Sequence, residues 1–109
     1  MTTFKSAIYL CGLSQQGAAE YLGFSIASIK DWCRGNSAPP FGVWVMLADL
    51  FGRIQDAGEG AAEKIEPEAM DRLMLNDVTA DDGHDPLPDG ADSAAGAYAV
   101  LAAIADQNL

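Results

Sequence analysis

The stretch 13-LSQQGAAEYLGFSIASIKDWCRG-35 decides the fold. It contains two short helical segments separated by a tight turn. Ser14 and Ser25 each stand directly before one of these segments, and serine is a preferred N-cap residue. Gly23 lies between the segments, where a tight turn favours a residue that tolerates positive φ. The stretch therefore predicts one helix after Ser14 and a second from Ser25 to about Arg34.

Apolar residues in this stretch have the spacing of two packed helices. Ala19 and Leu22 face inward on the first helix, whereas Ile29 and Trp32 lie three residues apart on the second. Phe24 follows the turn glycine and is expected to plug the turn into the core. A short supporting helix, a tight turn and a second helix held across it are what a helix-turn-helix needs to enter the major groove of DNA.

The stretch resembles the phage-repressor-like, XRE-type helix-turn-helix family. That family's pattern runs Leu-Thr-Gln, then Ala-Glu-x-Leu-Gly-Val-Ser, then Ile, Trp, Arg-Gly and a proline. The chain carries it without a gap as Leu13-Ser14-Gln15, Ala19-Glu20-Tyr21-Leu22-Gly23-Phe24-Ser25, Ile29, Trp32, Arg34-Gly35 and Pro39. Flanking helices extend the likeness to about residue 56. The resemblance implies a DNA-binding transcriptional regulator that is not an enzyme.

The same resemblance implies a set of DNA-contacting residues. The first helix of the motif would begin at a phosphate or a base edge, the second would present its exposed face to the groove, and the residues after it would reach the DNA backbone. The residue at the start of the first helix is Gln15. The exposed face of the second helix consists of Ser25, Ile26, Ala27, Ser28, Lys30 and Asp31, and the residues after it are Arg34, Asn36 and Ser37. Helix N-termini and hydroxyls donate hydrogen bonds to phosphate, and cations release counterions, so the residue types agree with this role.

Three positions in this set depart from the family. The family often has Arg, Gln or Asn where this chain has Ile26 and Ala27, which can pack only on thymine methyl groups. Asp31 repels phosphate unless it meets the amino group of cytosine or a neighbouring cation. Sequence readout would then depend on few side chains, on dimer spacing and on DNA shape.

The rest of the chain predicts further helices and no strands. An apolar stripe from Phe4 to Cys11 indicates a first helix, capped by Thr2 or Thr3. Further helices are expected over 40–56, 67–75 and 93–107, with a hinge at 58–62 and a solvated loop at 77–92. The predicted fold class is all-α, a small helical bundle with a repressor-like helix-turn-helix and a C-terminal helical extension. We place the DNA-binding domain at 1–57 and the acidic extension at 58–109.

The predicted fourth helix is apolar around its whole circumference, so another element has to cover it. The C-terminal segment or a second subunit would serve, and we expect a homodimer with Leu50 or Phe51 at its interface. In the extension, the larger apolar residues are expected to do the packing. These are Met70, Leu73, Met74, Tyr98, Leu101 and Ile104.

The net charge of −10 is concentrated in the second half of the chain. Residues 1–56 contain four basic and four acidic residues, whereas residues 57–109 contain 12 acidic and two basic ones. A DNA-binding face can therefore exist in the first half. The acidic half is interpreted first as a dimerisation appendage whose charge limits non-specific DNA binding. The alternative is an arm that mimics DNA or binds a partner protein.

The sequence lacks the motifs that mark several other classes of function. The sequence has no nucleophile triad, phosphate loop or dinucleotide signature, and residues 81–85 do not fit the calcium-loop pattern, so we expect no catalysis, cofactor or metal. Cys11 and Cys33 are expected to be reduced thiols. Redox sensing by Cys33 is an alternative if Lys30 and Arg34 lower its pKa. With no long apolar run or secretion signal, a cytoplasmic protein without membrane contact is expected.

Two functions remain open from the sequence. The first is a homodimeric repressor of its own promoter that binds an inverted repeat in double-stranded DNA. The second is a helix-turn-helix protein-interaction module, an antitoxin or anti-repressor, whose acidic half binds a protein partner.

Overall fold

The computed structural model describes residues 2–66, 78–81, 83 and 86–107. Within this part the chain forms five helices and no strand, which confirms the all-α prediction. The helices are α1 (Thr3–Leu10), α2 (Gln15–Leu22), α3 (Ile26–Arg34), α4 (Phe41–Ala62) and α5 (Ala91–Gln107). The helix predicted over 67–75 lies outside the described residues, as does part of the predicted loop at 77–92.

Side-chain caps start the first three helices where the sequence predicted them. Thr2, Ser14 and Ser25 each accept a hydrogen bond from the backbone amide three residues further on, at 3.2, 2.9 and 3.1 Å. A cap of this kind contributes about 1 kcal/mol to helix stability. Gly23 and Gly35 end α2 and α3 in the left-handed conformation, with φ of 79° and 82°. The turn between the two helices is therefore also as predicted.

Trp32 of α3 is buried in the hydrophobic core, as expected. Phe24, predicted to plug the turn into the core, is instead 39% exposed. Its ring packs edge-on against Trp32, with the ring centres 5.0 Å apart. The indole already fills the space beneath the turn, so Phe24 covers the indole from outside.

The fourth helix is longer than predicted. An end at Asp56 and a hinge at 58–62 were expected, but α4 continues to Ala62. Gly58 is buried there, and a β-carbon on it would overlap the ring of Tyr98 in α5. This glycine does not break the helix, because its role is to admit a large side chain of the neighbouring helix against the backbone.

The extension packs through its smallest residues. Ala91, Ala95, Ala99 and Ala103 recur every four residues along α5 and are buried, and α5 lies against α4. Leu101, expected to be a packing residue, is 67% exposed. A helix with alanine on its inner face can lie close to its neighbour, which leaves the larger side chains outside. The helix also begins two residues before the predicted Ser93.

The loop before α5 touches the turn between α1 and α2. Gly12 and Gly90 both have positive φ, of 75° and 92°, and a β-carbon on either would overlap the carbonyl group of the other. Leu87 and Ala91, on either side of this contact, are part of the same hydrophobic core as α1 to α4. The extension and the helix-turn-helix therefore share one core.

This contact predicts unequal effects for two similar substitutions. Gly12→Ala and Gly23→Ala each place a β-carbon at positive φ, which costs about 1–2 kcal/mol. No other atom lies within 4 Å of the added carbon at Gly23, whereas at Gly12 it meets Gly90. We expect Gly12→Ala to lower the free energy of unfolding by at least about 1 kcal/mol more than Gly23→Ala. Urea unfolding measures both, and equal losses would contradict the close contact between the two loops.

Candidate nucleic-acid interface

Helix α3 has one buried and one exposed face. Ile29, Trp32 and Cys33 are buried against the core. Ala27, Lys30, Asp31 and Arg34 are exposed on the opposite side, as a period of 3.6 residues requires. The exposed face carries two cations and one carboxylate, so it is weakly positive in a strongly acidic protein.

The structure separates the ten residues of the predicted site into two groups. Those that are exposed are Ser25, Ala27, Lys30, Asp31, Arg34, Asn36 and Ser37, and those that are half-buried are Gln15, Ile26 and Ser28. Ile26, which was expected on the exposed face, is half-buried. It packs against the core because it lies one helical turn before Ile29. Ala27 is the apolar residue of this helix that remains accessible to a thymine methyl group.

Two serines organise the first turn of α3. The Ser25 hydroxyl accepts from the Ser28 amide at 3.1 Å and donates to the Ser28 hydroxyl oxygen at 3.0 Å. First-turn amides point out of the end of a helix and give it a partial positive charge, which suits a phosphate. The partial positive charge at the N-terminal end of α3 favours an anion there.

Hydrogen bonds also fix the far end of α3. The Asn36 amide donates to the Asp31 carbonyl at 3.0 Å, across the left-handed Gly35. The Thr2 hydroxyl donates to the Cys33 carbonyl at 2.7 Å and so ties the end of α3 to the start of α1. The sequence indicated Thr2 only as a cap of α1. Nothing in the local pattern signals a partner 31 residues away.

The two cysteine thiols are free and buried. Burial raises the pKa of both, and the cation that partly opposes this at Cys33 is Lys5. The alternative in which Lys30 and Arg34 lower the pKa of Cys33 is therefore wrong, because those side chains point to the outer face of α3. Because a protonated thiol reacts poorly, the raised pKa does not favour redox sensing by Cys33.

The Cys, Asp and Glu residues in the described part of the chain form no group of three that could hold a metal ion. Asp82, His84 and Asp85 of the acidic loop lie outside the described residues. None of the described helices is both long enough and apolar enough to cross a membrane.

Comparison with known protein families matches residues 8–55 to the helix-turn-helix family. This segment runs from the end of α1 through α2 and α3 into α4. Comparisons with curated proteins and with solved structures give no match. The match confirms, for residues 8–55, the resemblance to the XRE-type helix-turn-helix family of DNA-binding regulators that was seen in the sequence.

Two substitutions of Ser25 separate its capping role from its position at the interface. Ser25→Ala removes the cap and should lower the free energy of unfolding by about 1 kcal/mol. Ser25→Asp keeps a good cap, so stability should stay near that of the wild type. It also places a carboxylate at the end of α3, which should weaken DNA binding about tenfold. Urea unfolding and fluorescence anisotropy measure the two effects. A Ser25→Asp variant that binds DNA like the wild type would place the interface elsewhere.

Proposed function

We propose that the protein is a sequence-specific DNA-binding transcriptional regulator, a homodimer that represses its own promoter by binding an inverted repeat. The observation that carries this proposal is α3 itself. Its polar face is exposed, its two ends are fixed by hydrogen bonds, and it lies in a segment that matches the helix-turn-helix family. A target in promoter DNA agrees with the cytoplasmic location expected from the sequence.

In the proposed complex α3 lies in the major groove. Ala27 meets a thymine methyl group, whereas Lys30 and Arg34 neutralise phosphates on either side. Gln15, at the start of α2, contacts a further phosphate, and the exposed residues after α3, Asn36 and Ser37, reach the DNA backbone. In this proposal residues 1–57 contact the DNA. The described part of residues 58–109 completes the core, and the acidic residues of this half make the net charge negative.

An apolar groove supports the dimer. Its volume is about 210 Å³, and its walls are formed by Ala7, Leu10, Cys11, Trp44, Leu47, Ala48 and Phe51 of α1, the residue after it, and α4. Phe41 of α4 is 80% exposed, and Leu10 is 62% exposed. Helix α5 lies against a different side of α4, and among the described residues only those of α1, Cys11 and α4 line this groove. Two copies joined here would present two recognition helices, as an inverted repeat with half-sites about one turn apart requires.

The structure changes which residue should test the interface. Leu50, suggested by the sequence, is fully buried, so a charge there would unfold the chain. Phe51 is half-buried in the groove wall, whereas Leu10 lines the groove and is exposed to solvent. Leu10 is therefore the residue at which a charge tests the interface without disturbing the core.

The first experiment measures DNA binding directly. Fluorescence anisotropy compares DNA from the upstream region of the gene with scrambled DNA over a salt series. Lys30→Ala and Arg34→Ala should each weaken binding about fivefold and lower the slope of log affinity against log salt by about 0.9. Lys64→Ala is the matched control, because Lys64 is exposed beyond the end of α4, and should change little. Equal, weak binding to both DNAs would refute the repressor and favour a protein partner for the acidic half.

The second experiment tests the dimer with two similar leucines. Leu10→Glu places a charge at the groove, and Leu101→Glu places the same charge on the outer face of α5, where Leu101 is comparably exposed. We expect sedimentation equilibrium to give a monomer for Leu10→Glu and a dimer for Leu101→Glu. The opposite pattern would move the interface to α5, and a dimer in both cases would exclude these two surfaces.

A further inference from the structure

We propose that Asp89, in the loop before α5, weakens DNA binding of every sequence by repelling phosphate from the first turn of α2. The inference rests on the proposed DNA-binding function. The sequence suggests that the acidic half as a whole limits DNA binding. The inference assigns this effect to one residue with a fixed position.

A shared groove places Asp89 beside α2. The groove has a volume of about 230 Å³, and its walls are Gly17, Glu20 and Tyr21 of α2 together with Pro88 and Asp89. Gly17 belongs to the first turn of α2, where its amide donates to the capping Ser14 hydroxyl. The carboxylate of Asp89 is exposed, so it faces solvent next to the end of the helix that would meet a phosphate.

The loop cannot swing away without breaking the core. Leu87 and Ala91, two residues to either side of Asp89, are buried. Gly90 touches Gly12 in the turn that leads into α2. The Ala91 amide also donates to the Pro88 carbonyl at 2.9 Å, which closes the chain tightly around Asp89. Its charge is therefore held in place relative to α2, unlike a charge on a free tail.

A second carboxylate acts on the same side of α2. Glu20 lines the groove and accepts a hydrogen bond from the Gln16 side chain at 3.3 Å. Repulsion between exposed charges acts over the Debye length, about 8 Å at physiological salt, and both carboxylates line the groove that includes Gly17 of the first turn of α2. The repulsion does not depend on base sequence, so it weakens all DNA binding by a similar factor. The repulsion therefore lowers the affinity for non-specific DNA, while the ratio of affinities for two DNA sequences stays the same.

The test compares two substitutions that remove the same charge. Asp89→Asn removes the carboxylate beside α2, and Asp106→Asn removes an exposed one near the end of α5. In anisotropy measurements at low salt, Asp89→Asn should tighten binding to upstream and scrambled DNA by about two- to fivefold. Asp106→Asn should change it by less than about 1.5-fold. Equal effects of the two variants, or no effect of either, would overturn the proposal.

A measurement without DNA keeps this inference separate from the proposed function. Inorganic phosphate is titrated into each protein while the amide signals of Gln15 and Gln16 are followed by NMR. Asp89→Asn should bind phosphate more tightly at these amides than the wild type or Asp106→Asn does. If the wild type binds neither DNA, the regulator is refuted, and this titration alone decides whether Asp89 repels phosphate from α2. Identical titrations for the three proteins would overturn that repulsion.

Discussion

The position of α3 depends on a chain of aromatic contacts. Trp32 of α3 packs edge-on against Phe4 of α1, with ring centres 5.6 Å apart, and Phe4 packs in the same way against Trp44 of α4 at 5.7 Å. Phe24, from the turn, covers the other side of Trp32. Such pairs contribute about 0.5–1.5 kcal/mol each beyond the area they bury, and their edge-to-face geometry fixes orientation as well as distance. The orientation of α3 is thus set by the contacts of Trp32 with α1 and with the turn, and Phe4 connects these contacts to α4.

The extension is attached by a different principle, the close approach of small residues. The inner face of α5 is alanine, Gly58 of α4 admits Tyr98, and Gly12 meets Gly90 backbone to backbone. Burying a methyl group yields far less than burying a leucine side chain, so this attachment relies on many close contacts along the full length of α5. Large side chains such as Leu101 stay outside as a consequence. The helix-turn-helix and the extension form one core through two kinds of packing.

The sequence predicts correctly those features that depend only on residues close together in the chain. A serine cap or a left-handed glycine depends on residues within one turn, so Ser14, Ser25 and Gly23 could be assigned from the pattern alone. The errors concern contacts between distant segments. The local pattern at Gly58 predicts a helix end, because the residue that packs against it, Tyr98, lies on the distant α5. The pattern also places Phe24 in the core, because it does not show that Trp32 already fills the space beneath the turn. For the site, residue types implied the exposed face of α3, whereas the position of Asp89 beside α2 depends entirely on tertiary packing.

That position bears on how a chain with a net charge of −10 can act on DNA. Repulsion between exposed charges falls off over the Debye length, so total charge matters less than the distance of each carboxylate from the bound phosphates. Most of the acidic residues lie in the second half of the chain, and α3 itself keeps two cations beside one carboxylate. A carboxylate held beside α2 acts on phosphate at short range, whereas one near the end of α5 adds mainly to solubility. Because the extension and the helix-turn-helix share one core, the carboxylate of Asp89 repels phosphate at a fixed position beside α2.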